Sequence, residues 1–408
     1  MNILPVIEES MDELTAIFRD LHAHPEIGFT EARTSAIVAD KLRDYGVDEV
    51  FAGLGKTGVV GLIHGSRQGN RRVGLRADMD ALPIHEISGV DYTSQNDGVM
   101  HACGHDGHTT MLLGAAKHLA ATRDFDGTAV LIFQPAEEGL GGARQMIADG
   151  LFEQFPCDEI YGMHNMPNGQ HGKVGICKGV AMAGAAFFDI KVTGKGSHAA
   201  RPSDSKDALI IAASLATELQ TILSRNVPSL DACVLSVTQM HAGAAYNVVP
   251  EVATLGGTIR YFKDEIYALA AGRMEAICAG FAIAHEVTID CDLRNVFDVL
   301  VNDDDLSDAY LDAAADIVGS ENIFEKDAPA TGSEDFADML KIVPGAYCVV
   351  GHAGTVPLHN PSFRLDPAIL PIGASVMARV VEKRLPLCRR GASDVPDHER
   401  DLHGRVGA

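Results

Sequence analysis

The run FFDIKVTGKGSHAARPSDSKDALIIAASLATELQTILS, residues 187–224, changes periodicity partway along. FFDIKVTG (187–194) reads as a strand, a Gly-rich bend follows, and SKDALIIAASLATELQTILS (205–224) spaces its apolar residues as an amphipathic helix does. DACVLSVTQMHAG (231–243) and VATLGGTIRYF (252–262) then read as strands, DEIYALAAGRMEAICAGFAIAH (264–285) as a helix and EVTIDCDL (286–293) as a last strand. The order βαββαβ is that of a ferredoxin-like α+β unit, and it predicts a separate domain over residues 185–294.

The rhythm on either side differs. SMDELTAIFRDLHA (10–23) and TSAIVADKLRDYG (34–46) have helical spacing, whereas VVGLIHG (59–65), RVGLRAD (72–78), TAVLIFQ (128–134) and EIYGMHN (159–165) are short apolar runs ending in polar residues or Gly. This alternation predicts an α/β sheet with helices on both faces. It resumes after Asn302 with LSDAYLDAAADIVG (306–319), GAYCVVG (345–351) and AILPIGASVMARVVEKRL (368–385). The ferredoxin-like unit is therefore an insertion, with one domain built from residues 1–184 and 295–387 around it. The polar residues 388–408 are expected to form a loose tail.

A chain of 408 residues, 46% of them hydrophobic, suits two domains. Its net charge of −23 would repel a polyanion, so nucleic acid is not expected as a partner. The N-terminal residues lack a basic segment followed by an apolar one, and no run of about 18 apolar residues occurs, so a soluble, cytoplasmic protein without a membrane partner is expected. The eight Cys (103, 157, 177, 233, 278, 291, 348, 388) include no CxxC pair and are read as reduced thiols, all but Cys103 as small buried hydrophobes.

Cys103 stands apart because MHACGHDGHTT (100–110) surrounds it with imidazoles. A catalytic divalent site needs a few converging N, O or S donors and an open position. Cys103 and His105, two apart, point the same way in an extended segment, and a helix is expected to begin just after them at TTMLLGAAKHLAAT (109–122). Asp106 and His108 suit supporting roles, and His101 has no assigned one. FQPAEEG (133–139) supplies Glu137 and Glu138 past a strand end, and because adjacent side chains diverge, one can ligate while the other handles a water proton. His164 ends another strand and His359 lies in a loop; either, alone, is more often structural. RADMDALP (76–83) offers Asp78 and Asp80 at a strand end, where Asp80 could buttress a ligating imidazole or simply form a turn. In the inserted unit His198 could stabilise an oxyanion, and Asn247 and Arg260 could hold a substrate carboxylate. Glu334 and Asp335 are read only as first-turn acids of a helix.

Taken together, LHAHPEIGFTE (21–31), RADMDALP (76–83), MHACGHDGH (100–108), QPAEEG (134–139), GMHN (162–165), GKGSHAARP (194–202), NVVP (247–250), TGSEDFA (331–337) and HNPSF (359–363) resemble a known family. These are the dinuclear metal amidohydrolases that include hippurate hydrolases, N-acyl-amino-acid amidohydrolases and indoleacetyl-amino-acid hydrolases, and the motifs follow in order along nearly the whole chain. The resemblance implies a metallopeptidase-like catalytic domain with a lid or dimerisation insert. It implies that Cys103, His105, Glu138, His164 and His359 ligate two divalent ions (Zn, Mn, Co or Ni), with the thiolate as a bridge, that Glu137 is general base and then acid, and that Asp80 orients a ligand. It further implies a homodimer or dimer-based tetramer, with His198 completing a neighbouring subunit's site. One segment departs from the pattern: where relatives often carry an aromatic and two prolines, this chain has NVFDVLVND (295–303).

The expected reaction is metal-dependent hydrolysis of an N-acyl-L-amino acid. A dipeptidase or a biosynthetic deacylase would use the same chemistry on another acyl group. A metal-free hydrolase with Cys103 as nucleophile and His105 as base is the alternative of a different class.

Overall fold

The structure is a computed structural model that describes residues 1–387; the expected tail and Cys388 lie outside the described residues. Eight strands form a mixed sheet in the order Glu49–Leu54, Gly58–His64, Asp126–Gln134, Arg67–Asp78, Glu159–Met166, Gly345–Gly351, Val174–Ile176 and Ile323–Glu325. Four central strands, Asp126–Gln134, Arg67–Asp78, Glu159–Met166 and Gly345–Gly351, run parallel to one another.

Both faces of this sheet are covered, and strand parity shows how. Ala129, Leu131 and Phe133 join the cluster that includes Leu112, Leu119, Met377 and Val380 of the long helices His105–Thr122 and Leu370–Arg384. Val130 and Ile132 point the other way, to Ala143, Met146, Phe336 and Met339 of shorter helices. Alternation with a period of two sends every second side chain to the opposite face, so a doubly covered strand is apolar throughout. Truncating one such residue to Ala typically costs about 2–5 kcal/mol.

Residues 184–297 make a second, four-stranded antiparallel sheet ordered Cys233–Ala242, Val252–Tyr261, Gly184–Thr193 and Thr288–Phe297. Helices Ala208–Thr221 and Asp264–His285 cover one face, with a core of their own that includes Phe188, Ile190, Leu215, Leu255 and Met274. Asp264–His285 is long and apolar enough to cross a membrane by length and composition alone, and it packs here on the sheet.

The atypical segment NVFDVLVND has a definite place. Leu300–Asn302 pairs antiparallel with Gly179–Met182, so the chain leaving the large sheet and the chain returning to it are zipped together. Asn302 fastens this crossing by donating to the Cys177 and Tyr347 carbonyls at 2.8 and 3.2 Å. Among the described cysteines all seven are free; Cys157, Cys233 and Cys291 are only partly buried, short of the full burial expected.

Candidate active site

Four parallel strands end on one side of the large sheet, where backbone direction gathers the polar termini that the sequence places there. Asp78 ends the strand Arg67–Asp78 and Asp80 follows it, Glu137 and Glu138 follow Asp126–Gln134, His164 lies within Glu159–Met166, and the loop after Gly345–Gly351 carries His359. The helix bearing the histidine cluster begins earlier than its apolar spacing suggests, at His105 rather than at Thr109. Gly104, with φ of +92°, makes the turn, and a Cβ there would stand 2.1 Å from Asn165 Nδ2. Cys103 and His105 therefore converge across a left-handed turn and not along an extended strand.

The donors meet as the spacing and the resemblance imply. Ligand atoms of Cys103, His105 and His164 lie within 4.8 Å of one another, as do those of Cys103, Glu138 and His359. Cys103 belongs to both groups, so its sulfur stands where the two sets of donors meet. His105 Nδ1 faces Asp80 Oδ1 at 3.1 Å, which leaves Nε2 buried with no partner. His164 Nδ1–H donates to the Asn165 carbonyl at 2.6 Å, turning the Nε2 lone pair toward Cys103 Sγ, 3.4 Å away. The His359 backbone N–H donates to Ala102 O at 2.9 Å, which brings this loop to the cysteine, with φ of +60° at His359. Glu138 Oε1 is buried without an aligned donor, although His359 Nε2 lies 3.2 Å away.

Orphaned imidazole and carboxylate atoms aimed at a common space are what a cation would satisfy, and the mixture of S, N and O donors suits a divalent transition ion. Charge supports the fit. Cys103 and then Glu138 raise His359 to about 10, and although burial opposes it, Asp78 holds His105 well above its usual value. The donor set thus attracts positive charge. Burial, then Glu138, pushes the Cys103 thiol up, which is unfavourable for a metal-free thiolate nucleophile.

Glu137 is buried beside this cluster, and its carboxyl is raised well above the usual range by burial and next by Glu334, Glu138 and Asp335. That is the environment of a proton carrier. Three buried carboxylates hold the loop that carries it: Glu31 accepts from Ala136 N at 2.9 Å, Asp80 from Glu138 N at 3.0 Å and Asp335 from Ala143 N at 2.9 Å.

Residues not singled out in the sequence complete the floor. Arg76, 1% exposed, donates to Asp78 and Glu334 at 2.8 Å, to Asp335 at 3.1 Å and to Gln134 at 2.8 Å. Glu334 and Asp335 are therefore partners of a buried guanidinium, a correction to their reading as first-turn acids. His108 is satisfied on both sides, facing Asp78 at 2.6 Å and accepting from Asn165 N at 3.0 Å, so it supports and does not ligate. Asp106 pairs with His22 at 2.7 Å. His101 is buried with neither ring nitrogen paired.

The cleft beside the donors has a volume of about 990 Å³ and is lined by Cys103, Glu137, Glu138, His164 and His359 at one end. Met166, Pro167, Met182, Phe187, Phe297 and Leu358 supply apolar walls, and Arg260 reaches it from the second sheet. Arg260 Nη1 donates to Ser333 Oγ at 2.6 Å, and no carboxylate pairs with it among the described residues. His198 and Asn247 are brought together elsewhere. They sit exposed on the small two-stranded antiparallel ribbon in which Ser197–His198 pairs with Val248–Val249, and neither lines this cleft.

A shared thiol, imidazoles and acids at the strand ends of a doubly covered sheet are the donor set of a metallohydrolase. The sequence of peptidase family M20/M25/M40 matches residues 74–383, and the chain belongs to that family. It is 40% identical to the hippurate hydrolase of Campylobacter jejuni over 94% of this chain and 100% of that one. It is also 35% identical to the N-acetylcysteine deacetylase of Bacillus subtilis, over 89% of this chain and 94% of that one. A solved Bacillus subtilis structure described as a dinuclear metal binding peptidase from the M20 family superposes with a TM-score of 0.79 at 31% identity, covering 93% of this chain and 99% of that one.

Proposed function

We propose that the protein hydrolyses the amide bond of N-acyl-L-amino acids, hippurate-like conjugates in particular, releasing a carboxylic acid and a free amino acid. The observation that carries this reading is the pairing, across one cleft, of Glu137 at the donor cluster with Arg260, a guanidinium without a carboxylate partner among the described residues. Cys103, His105, Glu138, His164 and His359 would hold two divalent ions, which supply Lewis acidity and ease deprotonation of a water. Glu137 takes the proton of the attacking water as its oxygen bonds to the carbonyl carbon, and then returns it to the leaving nitrogen as the C–N bond breaks. Arg260 binds the free α-carboxylate, while the apolar walls receive the acyl group. Asp80 keeps His105 in the tautomer that offers Nε2.

His198 accepts from Ala200 N at 3.1 Å through Nδ1, which leaves Nε2–H free to donate. Its exposed position fits a role in a neighbouring subunit of a homodimer, where it and Asn247 would meet the oxyanion and the carboxylate of the partner's substrate. The inserted unit, residues 185–294, would provide that contact, in a dimer or a tetramer of dimers. The free cysteines suit the reducing cytoplasm.

The test is release of glycine from benzoylglycine, with benzoyl, acetyl and aminoacyl substrates compared, with and without a chelator, for wild type and Glu137→Ala. Chelator-sensitive turnover that Glu137→Ala abolishes supports the reading; full activity of Glu137→Ala removes the assigned role. Mixing Glu137→Ala with His198→Ala subunits should restore activity if His198 serves its neighbour.

A further inference from the structure

The segment HPEIGFTE (24–31) contributes no ligand and no lining residue to the cleft, yet its last residue is a carboxylate in an unusual position. Glu31 is 0% exposed and has no Lys, Arg or His partner among the described residues. A buried carboxyl without a cation costs free energy unless its oxygens are hydrogen-bonded. Both oxygens of Glu31 are used: Oε2 accepts from Thr57 Oγ1 at 2.6 Å and Oε1 from Ala136 N at 2.9 Å. Capping its own helix does not explain it, because Glu26 already accepts from Arg33 N and Thr34 N at 3.1 and 2.8 Å.

Ala136 is the residue just before the Glu137–Glu138 pair, and its φ is +55°, a conformation that residues with a Cβ rarely adopt. Its carbonyl accepts from Gly142 N at 3.0 Å, and Gly28 packs so closely that a Cβ there would stand 2.8 Å from Ala136 Cα. Beside the bond from Gly142, the HPEIGFTE segment thus holds the unusual turn from outside its own loop, at the Ala136 N–H and against its Cα. Backbone held in a sparsely populated region at a reactive centre needs such support.

We propose that Glu31 is a positioning residue for the proton-transfer step, holding the Ala136 turn so that Glu137 is aimed at the reacting atoms. This rests on Glu137 being the proton carrier. Without the acceptor, the buried Ala136 N–H is unpaired and the turn relaxes toward negative φ, swinging the peptide that precedes Glu137. Substrate contacts at Arg260 and the apolar walls lie on other elements and keep their places. Loss of Glu31 should then lower kcat and leave KM alone.

The variants are Glu31→Ala, Glu31→Gln and Thr57→Val, assayed on benzoylglycine beside Glu137→Ala, with thermal midpoint and bound metal measured on each. Glu31→Ala is expected to lose about 10²-fold in kcat, the usual effect of displacing a catalytic group by about 1 Å, with KM within about twofold of wild type. Glu31→Gln should recover most of that loss, because an amide oxygen can still accept from Ala136 N and the Thr57 hydroxyl can accept from the amide. Unchanged kcat in Glu31→Ala, a matching rise in KM, or failure of Glu31→Gln to recover would overturn the proposal. If Glu31→Ala does not fold, Thr57→Val decides: kcat lowered at constant KM supports it, and wild-type kcat overturns it. Should Glu137→Ala keep its activity, the functional reading fails; should it be inactive while Glu31→Ala turns over normally, only this inference fails.

Discussion

Asp80 holds two parts of the metal centre at once: Oδ1 faces His105 Nδ1 at 3.1 Å and Oδ2 accepts the Glu138 backbone N–H at 3.0 Å. One carboxylate thereby fixes the ring of His105 and the main chain of Glu138. Asp80→Ala should weaken metal affinity or activity by about 10- to 100-fold, the usual loss when such a supporting group is removed. Titrating activity of the metal-stripped variant with a divalent cation measures it. An unchanged titration midpoint would show that packing alone orients His105.

Arg76 compensates Asp78, Glu334 and Asp335 from within the fold, and it reaches Glu334 across 258 residues of chain. Although burial opposes it, these carboxylates hold the guanidinium charged, Glu334 foremost. Arg76→Met removes the cation and leaves uncompensated acids, which should cost about 3–5 kcal/mol. The loss should exceed that of Arg76→Met combined with Glu334→Gln, since the second change removes one orphaned charge. Urea unfolding of the three proteins provides the comparison.

The parts of the fold and site legible in sequence are those set by short-range periodicity. The short apolar runs TAVLIFQ and EIYGMHN announce strands of an α/β sheet, and their polar ends mark where His164 and the Glu137–Glu138 pair fall. What escaped depends on distant parts of the chain. Arg76 reads as an ordinary charged residue in a strand until Glu334 and Asp335 arrive beside it, and those acids read as a helix start for the same reason. The early helix start at His105 escaped because Gly104 makes a left-handed turn that apolar spacing does not encode. His198 and Asn247 were legible as separate polar candidates, but their meeting on an exposed two-stranded ribbon is a tertiary fact.

His22 lies between two acids, 2.7 Å from Asp106 and 3.1 Å from Glu86, with Tyr92 and His101 as its ring neighbours. Burial opposes its protonation, yet the bonds to Asp106 and then Glu86 raise it from 6.5 to about 9. A group raised in the folded state stabilises fully below its unfolded pKa, and that contribution is lost as pH rises through the folded value. The protein should therefore lose stability between about pH 6.5 and pH 9, by an amount of the order of 3 kcal/mol from this site. His22→Gln should be less stable at pH 6 and should flatten the decline. A parallel pH slope in the two proteins, measured by chemical unfolding, would remove His22 as its source.

Arg260 tests the substrate end of the cleft. Among the described residues its guanidinium hydrogen-bonds the Ser333 hydroxyl alone, at 2.6 Å, and burial lowers its pKa from the usual value, so a carboxylate would find an incompletely compensated cation there. A hydrogen bond to a charged group is worth about 1.5–3 kcal/mol, or roughly 10- to 100-fold in kcat/KM. Arg260→Met should lose that factor on benzoylglycine, mainly through KM, because the carboxylate is bound alike in the ground and transition states. On the methyl ester of the same substrate, wild type and variant should differ little, because the anion is gone. If the variant lost equally on both substrates, Arg260 would be shaping the cleft through Ser333 and not binding the carboxylate.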